Sequence, residues 1–437
     1  MDYAAAVDAL RSRGRFGITL GLERVSAILD ELGHPERALR GALVGGTNGK
    51  GSVVAMLRSV LGAAGFRIGT MPKPHLVSYR ERIAIDGEPL SEERFARAVA
   101  RVLPAADEVA IRLGPPTEFE ALTAAAFAEL ARAGIDLALV EVGLGGRLDA
   151  TNVIDLGVAV ITNVQLDHQR YLGRTLTAIG GEKAAIIKPG DIAVTGASGH
   201  GVDPIVDRCA ALGVHLLRCG PPRPYHVSVR DSGWDGLLTD AVTPAGTLRD
   251  LRIGLLGGHQ AANAAVALAT LDALAQRHGV AVSEEQLRRG LAEARWAGRL
   301  ELLDAPQLGG RILLDGAHNP DGARALARAL ADLHVAGAPL VFGAMRGKRV
   351  DAVLRALSPL RLLPVFTAVA DGQPFPPDEL ARRWSRLSDV PARTAADPSS
   401  ALRVAAELRR DPDTPIVVAG SLYLVGAVRG ELLGSDA

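Results

Sequence analysis

The sequence predicts an α/β chain: a parallel-sheet unit built round a phosphate-binding loop, followed by a smaller α/β unit. Three observations carry this. Short apolar runs alternate with helical-period segments along most of the 437 residues, the pattern of strands joined by crossover helices. A glycine-rich loop holding a lysine stands between one such run and a helix. Polar residues suited to chemistry fall just after the runs, at the carboxyl edge where parallel sheets bind ligands.

Composition narrows the class further. A chain of 437 residues has room for two or three domains. Lys plus Arg and Asp plus Glu both number 49, so no global field draws nucleic acid or an anionic membrane. No uncharged apolar stretch reaches about 18 residues, so no membrane span is expected. The start, Met-Asp-Tyr-Ala-Ala-Ala-Val-Asp, has acids where a signal peptide needs a basic region. Cys209 and Cys219 have no metal or redox spacing, and their scarcity suits a reducing cytoplasm.

In chain order, residues 1–40 read as helices, with Val7 and Leu10, then Leu22, Val25, Ile28, Leu29 and Leu32 at helical spacing. A glycine-rich stretch, 14–24, connects them. The run Ala42-Leu43-Val44 leads into Gly46-Thr47-Asn48-Gly49-Lys50-Gly51-Ser52 and then a helix. The glycines let backbone close round an anion, and the helix start points unpaired N–H groups at it. Lys50 adds a charge and Ser52 a hydroxyl for phosphate or Mg²⁺. This is not the strict Walker spelling, because Gly51 separates Lys50 from Ser52.

A strand over 66–70 ends in Met71-Pro72-Lys73-Pro74-His75, a hairpin follows at 82–88, and helices at 92–102 and 117–134. Thr117 and Glu120 form a capping-box pattern. A buried strand at 135–141 ends on Glu141 and opens a polar loop, 142–152. Another strand, 158–163, leads to Leu166-Asp167-His168, and Lys183 falls on a helix at 175–187. Residues 190–255 read as short strands and turns, before an Ala-rich helix opened by His259-Gln260. After Trp296 the alternation restarts, with strands at 312–315, 339–343, 363–370 and 415–419, which puts a domain boundary near 297.

Taken singly, several candidates have bland explanations. Glu141 alone could cap a turn, His168 could be structural, and a helix lysine such as Lys183 is ordinarily solvated. Asp315-Gly316-Ala317-His318-Asn319-Pro320 at a strand end is harder to explain by packing. A hard cation takes carboxylate oxygens, so Glu141 beside a phosphate loop is a Mg²⁺ candidate.

Together these pieces resemble the Mur-ligase superfamily and, within it, the folylpolyglutamate synthase/dihydrofolate synthase family. The matching stretches are 20–25, 46–52, 74–76, 141–152, 166–168, 182–184, His259-Gln260 with Asn263, 315–320 and 420–423. The resemblance implies a P-loop, parallel-sheet ATPase domain over 1–296, which also binds the pterin substrate, and a smaller Rossmann-like glutamate-ligase domain over 297–437. It implies a cytoplasmic, monomeric ligase that uses ATP and Mg²⁺ to join L-glutamate to dihydropteroate, tetrahydrofolate or both through an acyl phosphate.

Site roles follow by the same resemblance. Gly46, Thr47, Asn48, Gly49, Lys50, Gly51, Ser52, Asn263, Arg299 and Asp315 match nucleotide contacts. Glu141, His168 and Ser52 match metal ligands, and Lys183 matches a lysine carbamylated by CO₂. Gly21, Leu22, Glu23, Arg24, Thr117, Phe119, Glu120, Leu148, Asp149 and Ala150 match the pterin side. His318 and Ser421 are candidates for the glutamate side, with Lys50, Lys183 and His318 as catalytic groups.

One departure stands out. Lys73 replaces the usual serine ligand of Mg²⁺ before Pro74, and an ammonium cannot ligate a cation. It is expected either to contact the γ-phosphate directly or to swing away and leave water there. The usual Pro-Gly-Arg at the junction is Ala297-Gly298-Arg299, and the usual Lys-Asp is Lys348-Arg349. The rivals are a Mur-type ligase acting on a cell-wall precursor and a non-catalytic nucleotide-binding homologue.

Overall fold

Three sheets organise the described residues, 1–14, 21–369 and 373–434, of the computed structural model. The first comprises β1 (Gly41–Gly45), β2 (Ile68–Met71), β3 (Ala84–Ile85), β4 (Glu88–Pro89), β5 (Leu137–Glu141), β6 (Val158–Ile161), β7 (Ile192–Thr195) and β8 (His215–Arg218). Their order is β4-β3-β2-β5-β1-β6-β7-β8. All pairs from β2 to β8 are parallel, and β3 and β4 add an antiparallel hairpin at one edge.

Strands β1, β2, β5 and β6 are buried along their length, because helices cover both faces. Successive side chains then feed opposite layers. Leu43, Val140 and Ile161 enter one core, Val44, Leu139 and Val160 the other. Helix Lys50–Ala63 is apolar on nearly every side because it lies between the sheet and helices Gln260–His278 and Glu284–Glu293. Its Val53, Met56, Leu57 and Leu61 are fully buried. Burial of each such side chain stabilises by about 1.5–3 kcal/mol, which anchors the loop that precedes the helix.

A small antiparallel sheet follows, of β9 (His226–Gly233), β10 (Gly236–Thr243) and β11 (Gly246–Ile253). The third sheet is built from β12 (Arg299–Ala305), β13 (Gly310–Asp315), β14 (Pro339–Phe342), β15 (Leu363–Thr367), β16 (Arg393–Ala395) and β17 (Ile416–Ala419). Its order is β12-β13-β17-β14-β15-β16, with only β12 antiparallel. No helix among the described residues is long and apolar enough to cross a membrane.

Several elements differ from the sequence expectation. The helix expected over 92–102 runs Glu92–Leu113, straight through Pro104. Ala106 and Val109 beyond the proline join the same core as Phe95 and Val99, so burial outweighs the lost hydrogen bond. Within 190–255, Asp203–Leu212 is a helix and β9 to β11 are eight residues each rather than short pieces. Strand β12 escaped the pattern because a bulge between Arg299 and Glu301, with Leu300 at φ 48°, breaks its alternation. Leu20 and Ala370 of the expected segments lie outside the described residues.

Candidate active site

Strand β1 lies between β5 and β6, where the order of the sheet reverses, and ligands of open α/β sheets gather at such a point. The loop after β1 enters helix Lys50–Ala63 through Gly49, a left-handed N-cap at φ 81° that offers no side-chain cap. The first N–H groups of the helix therefore remain for an anion. Thr47 and Asn48 hold the loop from behind. The Thr47 hydroxyl pairs with the backbone of Gln165. The Asn48 carbonyl accepts from Thr162 Oγ1 at 2.7 Å and Asn163 Nδ2 at 3.0 Å.

Two lysine side chains converge on one carbonyl. Lys50 Nζ donates to the Gly46 oxygen at 3.3 Å and Lys183 Nζ donates to it at 2.9 Å. Lys183 is not a solvated helix lysine: it is 3 % exposed. Burial, with Lys50 close by, pushes its amine down to about 7. Glu141, at the end of β5, sits 3.8 Å from Lys50 Nζ and accepts the Lys73 N–H at 3.2 Å. Burial raises its carboxyl above the ordinary range despite Lys50. His168 follows β6 in a left-handed backbone conformation.

The third sheet faces this edge. Asp315, at the end of β13, is saturated by backbone: it accepts from Leu300 N–H at 3.0 Å and Ala317 N–H at 2.9 Å. It thereby fixes the strand carrying Arg299. His318 donates Nδ1–H to the Gly316 carbonyl at 2.8 Å, which leaves the lone pair on Nε2. Burial, aided by Lys348, pushes His318 down to about 4, so the ring is neutral near pH 7. Ser421, at the N-cap of helix Leu422–Leu433, is 2 % exposed. Asn263 is held by Gln260 and packs against Gly49.

One cavity of about 890 Å³ joins these groups. Its wall includes the whole loop from Gly46 to Ser52 together with Lys73, Glu141, His168 and Lys183, and also Asn263, Arg299, Asp315, His318 and Ser421. The expected pterin-side residues do not line it. Several of their polar groups are paired within the protein. Glu120 binds Arg24 and closes a capping box with Thr117. Asp149 is taken up by Thr151 and the Leu144 N–H. Gly21, Leu22 and Glu23 form the entry to helix Glu23–Glu31, and Leu148 and Ala150 flank Asp149. Phe119 is left as the partly exposed aromatic face. The Lys73 ammonium lies on that ring, 3.0 Å from its centroid. Lys73 thus rests on the ring while it also lines the phosphate cavity.

Comparison with known proteins agrees with this geometry. Residues 98–271 match the Mur ligase middle domain, and 299–432 match the dihydrofolate synthetase C-terminal domain. A dihydrofolate synthase/folylpolyglutamate synthase of Bacillus subtilis is 33% identical over 446 residues, covering 98% of this chain and 99% of that protein. The chain belongs to the folylpolyglutamate synthase/dihydrofolate synthase family. Among solved structures, Mycobacterium tuberculosis folylpolyglutamate synthase complexed with ADP and AMPPCP superposes with TM-score 0.88 at 33% identity, covering 99% of both chains. Escherichia coli FolC in complex with DHPP and ADP gives 0.86 at 29% identity, covering 100% of this chain and 99% of that one. As a member of this family the protein is an ATP-dependent ligase.

Sequence reasoning passed over one group that the ligase fold makes central. Asp167 receives Lys348 Nζ at 3.1 Å and Asn319 Nδ2 at 3.1 Å, and His318 Nε2 lies 3.8 Å away. Asn319 also reaches Asn48 at 3.0 Å. Burial pushes the Asp167 carboxyl up, but Lys348 and the two neighbouring histidines overcome it and hold it well below the usual range. Its sequence signals were its place beside His168 at a strand end and in the matching stretch 166–168. These contacts tie the loop after β6 to the third sheet. Hydrogen bonds to a charged group contribute about 1.5–3 kcal/mol each. Asp167→Asn should therefore lower kcat at least about tenfold, since roughly 1.4 kcal/mol is a factor of ten. Steady-state kinetics with a thermal melt checks this. A wild-type rate would show that the clasp does not act in turnover.

Proposed function

We propose that this protein uses ATP to join L-glutamate to dihydropteroate, to tetrahydrofolate, or to both. The observation that carries the reading is the single cavity in which Lys50, Lys183 and Glu141 face His318 and Ser421 from the third sheet. The γ-phosphoryl group passes to the acceptor carboxylate, and the amine of glutamate displaces phosphate from the resulting acyl phosphate. Lys50 and the helix N-terminus neutralise the phosphates, as positioning and charge compensation dominate such transfers. The planar pterin lies on Phe119, and the glutamate binds beside His318 and Ser421. The neutral His318 presents Nε2 as an acceptor for the amine proton. On this reading a division near 297 leaves the acceptor groups and the phosphate loop in the first unit, and Arg299, Asp315 and the glutamate groups in the second.

Mg²⁺ fits the residues present. Glu141 is a buried carboxylate at the loop, and Ser52 is a buried hydroxyl beside it in the sequence of the helix. No cluster of three acidic, His or Cys side chains occurs among the described residues. Mg²⁺ keeps few protein ligands and takes phosphate oxygens and water besides. Glu141, Ser52 and His168 would hold it, where it would offset phosphate charge. The depressed amine of Lys183 supports its conversion to a carbamate. We take the enzyme to be a cytoplasmic monomer.

The test is ATP hydrolysis in the presence of glutamate with either dihydropteroate or tetrahydrofolate, with products weighed by mass spectrometry. A product heavier by one glutamyl residue is expected with at least one acceptor. Turnover only with a UDP-linked cell-wall precursor, or none with any acceptor, would overturn the reading.

A further inference from the structure

Lys73 rests in a slot shaped for it. One wall is the Phe119 ring, 3.0 Å from Nζ. The other is Gly143, where a Cβ would collide with Nζ and come within 2.6 Å of Cε and 2.7 Å of Cδ. Any larger residue at 143 would evict the lysine. The Lys73 backbone is pinned by its N–H to Glu141, so only the side chain can move. Lys73 and Pro74 also line the phosphate cavity. The side chain thus stands on the border between the aromatic face and the phosphate loop.

Electrostatics gives it two resting places. Without nucleotide, the charges facing the ammonium are mixed: Asp149 and Glu141 attract it, while Arg82 and Lys50 repel it. The electron-rich ring face is where it rests. With nucleotide phosphates present, the loop becomes attractive. The ring face is also the surface on which, on the reading proposed above, the planar ring of the acceptor stacks. Ammonium and acceptor cannot share it.

We propose that Lys73 is a substrate-displaced cation: an acceptor ring on Phe119 drives the ammonium off the ring and into the phosphate cavity, so acceptor and nucleotide bind with positive coupling. The coupling is reciprocal, each ligand raising the affinity of the other by the same factor. Lys73 acts here as a positioning residue for charge.

Equilibrium binding of a non-hydrolysable ATP analogue with Mg²⁺, with and without saturating dihydropteroate, tests this. In the wild type the acceptor should tighten the analogue about tenfold, within the usual range of such couplings. In Lys73→Ser that ratio should fall to about one, and dihydropteroate alone should bind more tightly because nothing is displaced. Phe119→Leu gives a second route: without the ring to hold Lys73, the analogue should bind acceptor-free enzyme as tightly as it binds acceptor-saturated wild type. An equal coupling ratio in wild type and Lys73→Ser overturns the proposal while leaving the acceptor assignment standing. Failure of the wild type to bind dihydropteroate or tetrahydrofolate overturns the assignment and the coupling with it.

Discussion

Lys183→Met is expected to reduce kcat by about 10²–10³-fold, the usual effect of removing one electrostatic group aimed at developing charge. The unfolding midpoint should hardly move, because the side chain is already buried and methionine fills similar volume. A simple loss of charge would not explain the second half of this prediction. A carbamate forms only from the free amine, and burial beside Lys50 pushes the Lys183 amine down to about 7. Above that pH most of the side chain is neutral and can react with CO₂; below it the ammonium cannot. Activity should therefore fall as pH drops through about 7 and rise on adding bicarbonate to CO₂-depleted enzyme. A ¹³C-carbonate label read by NMR should give a carbamate signal that Lys183→Met lacks. Full activity in rigorously CO₂-free buffer would show that the amine itself, bonded to Gly46, is the working form.

The sequence displayed the parts of this site that end strands. Lys50, Glu141, Asp315 and Ser421 each follow a short apolar run, and the parallel sheets bring those ends to one edge. The burial of Lys183 was not legible, because its partner is a backbone carbonyl 137 positions away. The Asp167–Lys348 pair spans 181 positions for the same reason. Thr117 and Glu120 spell a helix start, and the structure forms that capping box through one oxygen of Glu120. Helix Asp203–Leu212 buries two side chains, Ile205 and Cys209, too few for a clear period. A lysine in place of a serine, by contrast, was visible as a departure, but only the geometry shows an aromatic face holding it.

Gly46→Ala should cripple nucleotide binding with a single methyl group. The backbone there has φ 141°, a region that L-residues rarely adopt. An added Cβ would collide with Thr162 Oγ1 and come within 3.1 Å of the Thr162 backbone nitrogen, so strand β6 cannot yield without disturbing the sheet. Strain of this kind costs on the order of 1–3 kcal/mol, a modest loss of stability. The functional loss should be larger, because the Gly46 carbonyl is the shared acceptor for Lys50 and Lys183. Turning that oxygen moves both lysine side chains at once. A misplacement of about 1 Å at reacting groups costs roughly a hundredfold, and here two groups move together. Nucleotide affinity by calorimetry should collapse while circular dichroism remains native. Gly62→Ala, in the helix that follows this loop and with open space around it, serves as the control and should bind nucleotide normally. If Gly46→Ala retains wild-type affinity, the loop relaxes away from Thr162, and the two lysines are not positioned by that carbonyl.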